Sequence, residues 1–253
     1  RLTAQRLLVE RQDKTVGEAL RSKIRQDQSA AGCLAALYTL GGLDLLKTDS
    51  LRIALASRFY EVRVHSLRLA ERDFQDKGIQ FQVLAMGGDS DSRVRLQLAL
   101  SLGEMEGEAA VGVLLDLLRN YPTDRWLPAA VLSSARELAT PLLIGLLDET
   151  SLHEETKDLV RPLASTIVGA GDEAQLRHVL SAVSQCDSRL QSSCLQGILD
   201  RVPPASASGI GQGGKWPVLD QLLLSEDGEV KELTVKLIVR LPGASRHGVN
   251  ALF

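Results

Sequence analysis

The sequence predicts an all-α protein, a right-handed α-α superhelix of about seven to eight stacked helix pairs. Apolar residues recur at helical spacing along most of the chain, and Ile, Val and Thr do not gather into the alternating runs that indicate strands. The dipeptides Val62-Arg63 and Val94-Arg95 lie 32 residues apart, and each opens an apolar helical run. A period of this length is typical of stacked helical repeats.

The first part of the predicted array, residues 1–138, contains the regular repeats. Residues 1–10 have the pattern of a second helix whose first helix is missing. Thr15 is predicted to cap the next helix, with Glu18 as its capping-box partner. The following helices are predicted at residues 16–24, 28–40, 43–57, 61–72, 77–86, 92–102, 108–119 and 126–138. Within these helices, Leu67 and Leu100 are expected to be buried.

The second part of the chain is less regular but continues the same array, so that residues 1–253 form one domain. Residues 139–202 are predicted to be divergent repeats, with helices at 142–147, 154–168, 173–184 and 189–202. Residues 203–215 are rich in Pro, Gly and Ser, which favours a flexible loop. Residues 216–242 form the terminal repeat and residues 243–253 a weakly patterned tail.

Basic residues recur at one position of the repeat. Alignment of the second helices places Arg1, Cys33, Arg63, Arg95 and Pro128 at equivalent positions, with steps of 32, 30, 32 and 33 residues. Lys231 occupies the same position late in the chain, and Asp89 and Asp91 lie just upstream of Arg95. Either these residues form a basic stripe for an anionic ligand, or they form a polar ladder with turn carboxylates of adjacent repeats. We favour the ladder, whose candidate members are Arg63, Arg95, Asp89, Asp91 and Lys231.

Composition and charge bear on the partners. The 29 basic and 32 acidic residues give a net charge of −3, which disfavours nucleic acid as a ligand. No apolar run approaches the roughly 18 residues that a membrane-spanning helix needs, so no membrane insertion is expected. The predicted partners are therefore proteins or flanking domains of the same polypeptide.

The three cysteines have no metal-binding spacing. Cys33 and Cys194 stand among apolar neighbours, which favours buried free thiols, while a disulfide between Cys186 and Cys194 remains open.

No residue set predicts catalysis, cofactor binding or metal binding in this chain. The serines lack a nucleophile elbow, and the glycine-rich residues 209–214 lack the Gly-Lys-Ser/Thr ending of a phosphate loop. Trp126 and Trp216 are candidate interface aromatics that could anchor a partner. Each opens an apolar helix, however, so we favour burial in the core or at an interface between repeats.

The repeat family is indicated by what the periodic segments contain. They lack the Trp-Leu-Gly-Tyr pattern of tetratricopeptide repeats and the Thr-Pro-Leu-His line of ankyrin repeats. The Val-Arg near the start of the second helix, after an Asp-rich turn, resembles short HEAT-like repeats of the armadillo-like type. His153-Glu154 is similar to one of the paired dyads of HEAT-like deoxyhypusine hydroxylases, but that di-iron site needs several dyads and this sequence has one.

A more specific resemblance covers residues 3–11, 37–43, 62–71, 94–104 and 130–134. These segments resemble the central region of large exported proteins of planctomycetes, described as membrane-bound dehydrogenases related to sorbosone dehydrogenase. In that family a β-propeller precedes the helical array and a c-type cytochrome domain follows it. The resemblance implies an exported or periplasmic scaffold between a sugar-oxidising domain and a haem acceptor.

This chain departs from the complete family pattern, because it has neither a propeller nor the Cys-x-x-Cys-His sequence that attaches haem c. The resemblance therefore implies a non-catalytic middle region, with haem c possible only in a flanking domain. The alternative is a stand-alone adaptor that binds a protein or peptide on a concave face lined by second helices. A third hypothesis is an enzyme with a HEAT-like fold, such as a phycobilin-lyase relative or a DNA glycosylase.

Overall fold

The computed structural model of the chain describes residues 2–26, 28–149, 153–202 and 215–241. Every regular element in these ranges is a helix, which confirms the all-α class. The chain divides into two compact units, Arg1–Val113 and Leu114–Phe253. The predicted flexible loop and the predicted tail lie outside the described residues, except for Lys215 at the end of the loop.

The first unit contains helices of two alternating kinds. Its helices are α1 (Leu2–Glu10), α2 (Gly17–Gln26), α3 (Ala30–Gly42), α4 (Thr48–Leu55), α5 (Tyr60–Ala70), α6 (Lys77–Leu84) and α7 (Ser92–Ser101), and α8 (Ala109–Asn120) contains the boundary with the second unit. We call α2, α4 and α6 first helices and α1, α3, α5 and α7 second helices. First helices contact one another in the order α2, α4, α6, and second helices do so in the order α1, α3, α5, α7. In addition, α2 packs on α3 and α4 packs on α5.

Two helix starts in the first unit differ from the prediction. The side chain that caps the turn before α2 is Asp13, which accepts a hydrogen bond from the Thr15 backbone N–H, so the prediction of Thr15 as the cap is wrong. Glu18 instead pairs with Arg21 and Arg25. The helix predicted to begin at residue 43 begins at Thr48 because Asp44, at φ 56°, has a left-handed backbone that ends the preceding helix.

The second unit has a similar alternation of contacts. It contains α9 (Leu127–Ser134), α10 (Ala139–Leu147), α11 (Glu154–Lys157), α12 (Val160–Ala170), α13 (Glu173–Val183), α14 (Ser188–Arg201), α15 (Pro217–Leu223) and α16 (Gly228–Arg240). Helices α10, α12, α14 and α16 contact one another in that order, while α13 contacts both α10 and α15. The core of each unit lies between these two sets of helices, where most leucines are fully buried.

The predicted helix at residues 154–168 is divided into α11 and α12. Pro162 accounts for the division, because it has no N–H to donate to the carbonyl of Asp158, four residues earlier. In the observed structure Pro162 lies in the first turn of α12, where a missing N–H costs little.

Helices α12 and α14 meet at Gly197. A Cβ atom on this residue would lie 2.1 Å from the carbonyl oxygen of Arg161 and 3.0 Å from the Cβ of Ala164. The obstructing atom at 2.1 Å belongs to the backbone, so it cannot move aside as the end of a flexible side chain could. Only glycine therefore allows this spacing of the two helices.

We predict that Gly197→Ala lowers the free energy of unfolding by about 1–3 kcal/mol, since overpacking displaces a helix backbone. Gly169→Ala in α12 is the matched control, because a Cβ there meets nothing within 4 Å. The control should raise stability by up to ~1 kcal/mol through helix propensity. Equilibrium urea denaturation checks both values, and equal effects of the two substitutions would contradict the close approach.

Candidate functional site

One position recurs near the start of the second helices, four residues after the N-cap residue. In α5 it is Arg63, whose guanidinium donates to the Ser57 carbonyl oxygen at 2.8 Å, and in α7 it is Arg95, which donates to the Asp89 carbonyl oxygen at 2.7 Å. These contacts tie each second helix to the turn that precedes it. We call this location the clamp position.

The clamp position is also filled in the second unit. Gln191 of α14, four residues after the cap Asp187, donates to the carbonyl oxygen of Cys186 at 3.0 Å. Sequence reasoning missed Gln191, although an aspartate four residues upstream precedes Arg95 and Lys231 as well. Lys231 has the predicted location in α16 and is half-buried, but it forms no ion pair with the described residues.

Arg63 also joins two consecutive repeats. Its Nε donates to Asp89 Oδ2 at 2.7 Å and its second terminal nitrogen donates to Asp89 Oδ1 at 2.8 Å. The side chains are only 14% and 10% exposed, and Asp89 Oδ1 also accepts the backbone N–H of Asp91 at 2.9 Å. Arg63 therefore donates through all three guanidinium nitrogens to protein atoms. Such a geometry is that of a ladder between repeats, in which the charge of Arg63 is already paired with the carboxylate of Asp89.

Asp91 provides a second link between the same repeats. It caps α7 by accepting the Arg93 backbone N–H at 2.9 Å, and it accepts the Arg93 side chain at 2.7 Å. The Arg93 guanidinium in turn lies 3.3 Å from the centre of the Tyr60 ring, at the start of α5. The hydrogen bond from Arg93 lowers the pKa of Asp91 to about 2. Asp91 is therefore ionised throughout the physiological range.

Polar side chains also connect the second helices further along their length. The Tyr38 hydroxyl lies 2.7 Å from His65 Nδ1, and Arg68 Nε donates to Gln97 Oε1 at 2.6 Å. In the 32- and 30-residue alignment Tyr38 is equivalent to Arg68, and His65 is equivalent to Gln97. The two hydrogen bonds are thus the same inter-repeat link made by different residue types.

The link to Gln97 continues into the interior. Gln97 Nε2 donates to Ser101 Oγ at 3.0 Å, and the Ser101 hydroxyl donates to Glu71 Oε1 at 2.6 Å. Ser101 is fully buried and Gln97 is 5% exposed.

His65, the partner of Tyr38, is neutral at pH 7. Burial, followed by the charge of Arg68, lowers the pKa of its imidazole.

One row of side chains on the second helices faces outward. Tyr38, Arg68 and Leu100 are at equivalent positions of α3, α5 and α7, and all three are exposed. The prediction that Leu100 is buried is therefore wrong, since its side chain is 39% exposed, whereas Leu67 is fully buried as predicted. The outward row mixes an aromatic, a basic and an aliphatic side chain.

The two tryptophans have different environments. Trp216 is 1% exposed, and the Arg177 guanidinium lies 3.9 Å from its ring centre, so its predicted burial is confirmed. Trp126 is 56% exposed, and the prediction that it is buried is wrong. The reason is its location, because Trp126 is the N-cap residue of α9 and precedes the helix face that packs. The Arg125 guanidinium lies 4.7 Å from the centre of its ring.

The cysteines are all free thiols, so the possible Cys186–Cys194 disulfide does not form. Cys33 and Cys194 are buried as predicted, and burial raises the pKa of the Cys194 thiol. Cys186 is half-buried, and burial followed by the charge of Asp187 raises its pKa as well. Raised pKa values keep both groups protonated and unreactive at neutral pH.

His153 lines a small cavity in the second unit, with Arg119 and Glu149 on its wall. These two charged residues form an ion pair with each other. Glu154 is paired with Lys157 at 2.9 Å and with Arg189 at 2.5 Å, so the carboxylate of the His153-Glu154 dyad has two basic partners. Within the described ranges, no group of three or more His, Cys, Asp or Glu side chains could hold a metal ion.

None of the described helices combines the length and the apolar character that a membrane crossing requires.

Comparison of the chain with models of known protein families gives no match. A comparison with curated proteins gives none either. The resemblance to the dehydrogenase-like family accordingly depends on the sequence segments quoted above.

We predict that Asp89→Asn lowers the free energy of unfolding by about 2–3 kcal/mol, because it removes the charge opposite a largely buried guanidinium. Glu10→Gln is the control, since Glu10 pairs with Arg6 at the surface, where the side chains are 59% and 69% exposed. This control should change stability by no more than ~0.5 kcal/mol. Thermal denaturation at matched pH gives both values. If Asp89→Asn proved as mild as the control, the link between repeats would not be stabilising.

Proposed function

We propose that the chain is a non-catalytic helical-repeat scaffold, built as a right-handed superhelix of HEAT-like helix pairs. The observation that carries the proposal is the use of equivalent residues for contacts between successive pairs. Tyr38 with His65 and Arg68 with Gln97 make one such link. At the clamp position, Arg63 and Arg95 make equivalent contacts with the turns that precede their helices. Structures with this kind of nearest-neighbour contact are extended binding or spacing modules.

The scaffold is proposed to act as the middle region of a larger exported oxidoreductase. Support comes from the resemblance of residues 62–71 and 94–104 to the helical region of the dehydrogenase-like family. In that setting the array would separate and hold two flanking domains, one of which would carry haem c. Its partners would then be domains of the same polypeptide.

The second candidate is a stand-alone adaptor that binds a protein or peptide. The observation that favours it is the outward row of Tyr38, Arg68 and Leu100 on consecutive second helices. Aromatic and arginine side chains are enriched at protein interfaces. Tyr38 and Arg68 are residues of these two kinds on consecutive repeats, and together with Leu100 they would bind an extended segment along the array.

The superhelical arrangement predicts an elongated particle. A compact globular protein of this length has a radius of gyration of about 18 Å, and a stacked array should give a clearly larger value. Small-angle X-ray scattering measures this radius, with a compact globular protein of similar length as the standard. A radius equal to that of the standard would contradict the superhelix.

The two candidate functions differ in the polypeptide that they require. For the multidomain oxidoreductase, the polypeptide purified from its natural source should have a mass far above 27.4 kDa and a haem Soret band. Intact mass spectrometry and visible absorption give both quantities. A colourless species near 27.4 kDa would overturn that proposal in favour of the stand-alone adaptor.

A further inference from the structure

His65 lies at the contact between two successive second helices, α3 and α5. Its Nδ1 is 2.7 Å from the Tyr38 hydroxyl, and the two rings meet edge to face with their centres 5.6 Å apart. The imidazole is half-buried, while Tyr38 is exposed. A titratable group is therefore located where one repeat meets the next.

The equivalent contact between α5 and α7 contains an amide in place of the imidazole. There Arg68 Nε donates to Oε1 of Gln97, which is the residue equivalent to His65. A side-chain amide remains neutral at every pH, whereas an ordinary imidazole gains a proton near pH ~6.5. The two successive contacts are thus expected to respond differently to acid.

The surroundings of His65 favour the neutral imidazole. Helix α5 packs against α3, α4 and α7, and Tyr38 is the group of α3 that contacts the ring. Burial, followed by the charge of Arg68, lowers the pKa of His65, and no charged group of α4 or α7 among the described residues contributes to this shift. Glu61, one turn earlier on α5, acts on Arg93 instead. A proton added to His65 therefore places a second positive charge close to Arg68.

The contact between α3 and α5 is also the smaller of the two. It is less extensive than the contact between α5 and α7. The polar link to α7 continues into the interior, because Gln97 donates to the buried Ser101. In stacked repeats each pair is held by its neighbours, so a loss of stability at one contact is expected to open the stack at that contact.

We propose that His65 and Tyr38 form a pH-sensitive joint, at which α3 separates from α5 in acid when the imidazole becomes protonated. Tyr38 and Arg68 belong to the outward row, so opening of the joint would separate two neighbouring residues of that row. This inference rests on the stacked-pair arrangement of the proposed function and adds a regulatory response to it.

The direction of the pH effect follows from the lowered pKa of His65. In the opened chain the imidazole is ordinary and binds a proton near pH ~6.5, while in the closed joint it binds a proton only at lower pH. Closure is therefore most favourable above about pH 7.5, becomes less favourable as the pH falls through ~6.5, and is constant again below the pKa of the closed joint. Each unit between the two pKa values reduces the equilibrium constant for closure about tenfold.

The first measurement is the NMR titration of His65 in the full chain. Its Cε1–H resonance should titrate with a midpoint below that of the same histidine in the urea-unfolded chain, because the closed joint favours the neutral form. A midpoint equal to or above that of the unfolded chain would overturn the proposal. This titration requires no substitution, so it is decisive even if a variant does not fold.

Amide hydrogen exchange locates the opening. Between about pH 7.5 and about pH 5, after correction for intrinsic exchange rates, the protection of α3 should fall by up to the factor that the NMR midpoint gives, and that of α7 should fall less. His65→Gln introduces the acceptor found in the next repeat and should remove the loss at α3. His153, His178 and His247 remain in this variant, so their contributions are the same in both chains.

Gln97→His is the reciprocal substitution. It places an imidazole beside Arg68 at the second contact, so the protection of α7 should now fall in acid as well. Unchanged protection of α3 in the parent chain, an equal loss in His65→Gln, or no added acid response in Gln97→His would each overturn the proposal. Scattering at neutral pH measures the stacked arrangement independently, so failure of the joint is distinguishable from failure of the proposed function.

Discussion

The structure depends on one constraint, which is that a helix pair among the described residues does not bury its apolar face by itself. Helix α5 shows this clearly. Its residues Val62 and Leu67 are completely buried, yet the helix contacts its mate α4 and the second helices on both sides, α3 and α7. Burial of one leucine contributes about 1.5–3 kcal/mol, and here the covering atoms come from neighbouring pairs. Stability in such an arrangement is approximately a sum over adjacent pairs.

Stacking apolar faces would not by itself align one pair with the next. The polar links supply this alignment, because a buried hydrogen-bonding group without a partner costs about 1–3 kcal/mol. Gln97 and Ser101 are buried and bond to each other within α7, and they reach Arg68 and Glu71 only when α7 lies correctly beside these residues. A shift of α7 by one residue would break the contacts of both side chains. The Arg63–Asp89 ion pair adds the same requirement at the other end of the helix.

The all-α class and the expectation that Arg63 pairs with a turn carboxylate of an adjacent repeat both follow from periodicity. The spacing of the apolar residues indicates which helices are equivalent. The turn before the next equivalent helix contains Asp89, which is a carboxylate close to Arg63. Leu100 was harder to predict, since leucines at residues 96, 98, 100 and 102 alternate rather than follow one helical face. Only Leu98 and Leu102, four residues apart, are fully buried.

Local choices between chemically similar residues were also not determined by the sequence pattern. Asp13 and Thr15 can each cap a helix, and the backbone bends at Asp13, two residues before the predicted cap. The role of Gln191 at the clamp position was not predicted, because the residues that recur at that position in the sequence pattern, Arg63, Arg95 and Lys231, are basic. Gln191 makes the same kind of contact with a turn carbonyl through an amide, which needs no charge.

The same constraint determines where recognition can occur on the first unit. Arg63 is engaged in holding turns and repeats together, whereas the outward row of the second helices keeps its side chains exposed to solvent. The outward row offers separate side chains rather than the continuous apolar contact that stabilises the core of the unit. A partner that contacts this row binds only the folded form, so its binding would stabilise the unit as well.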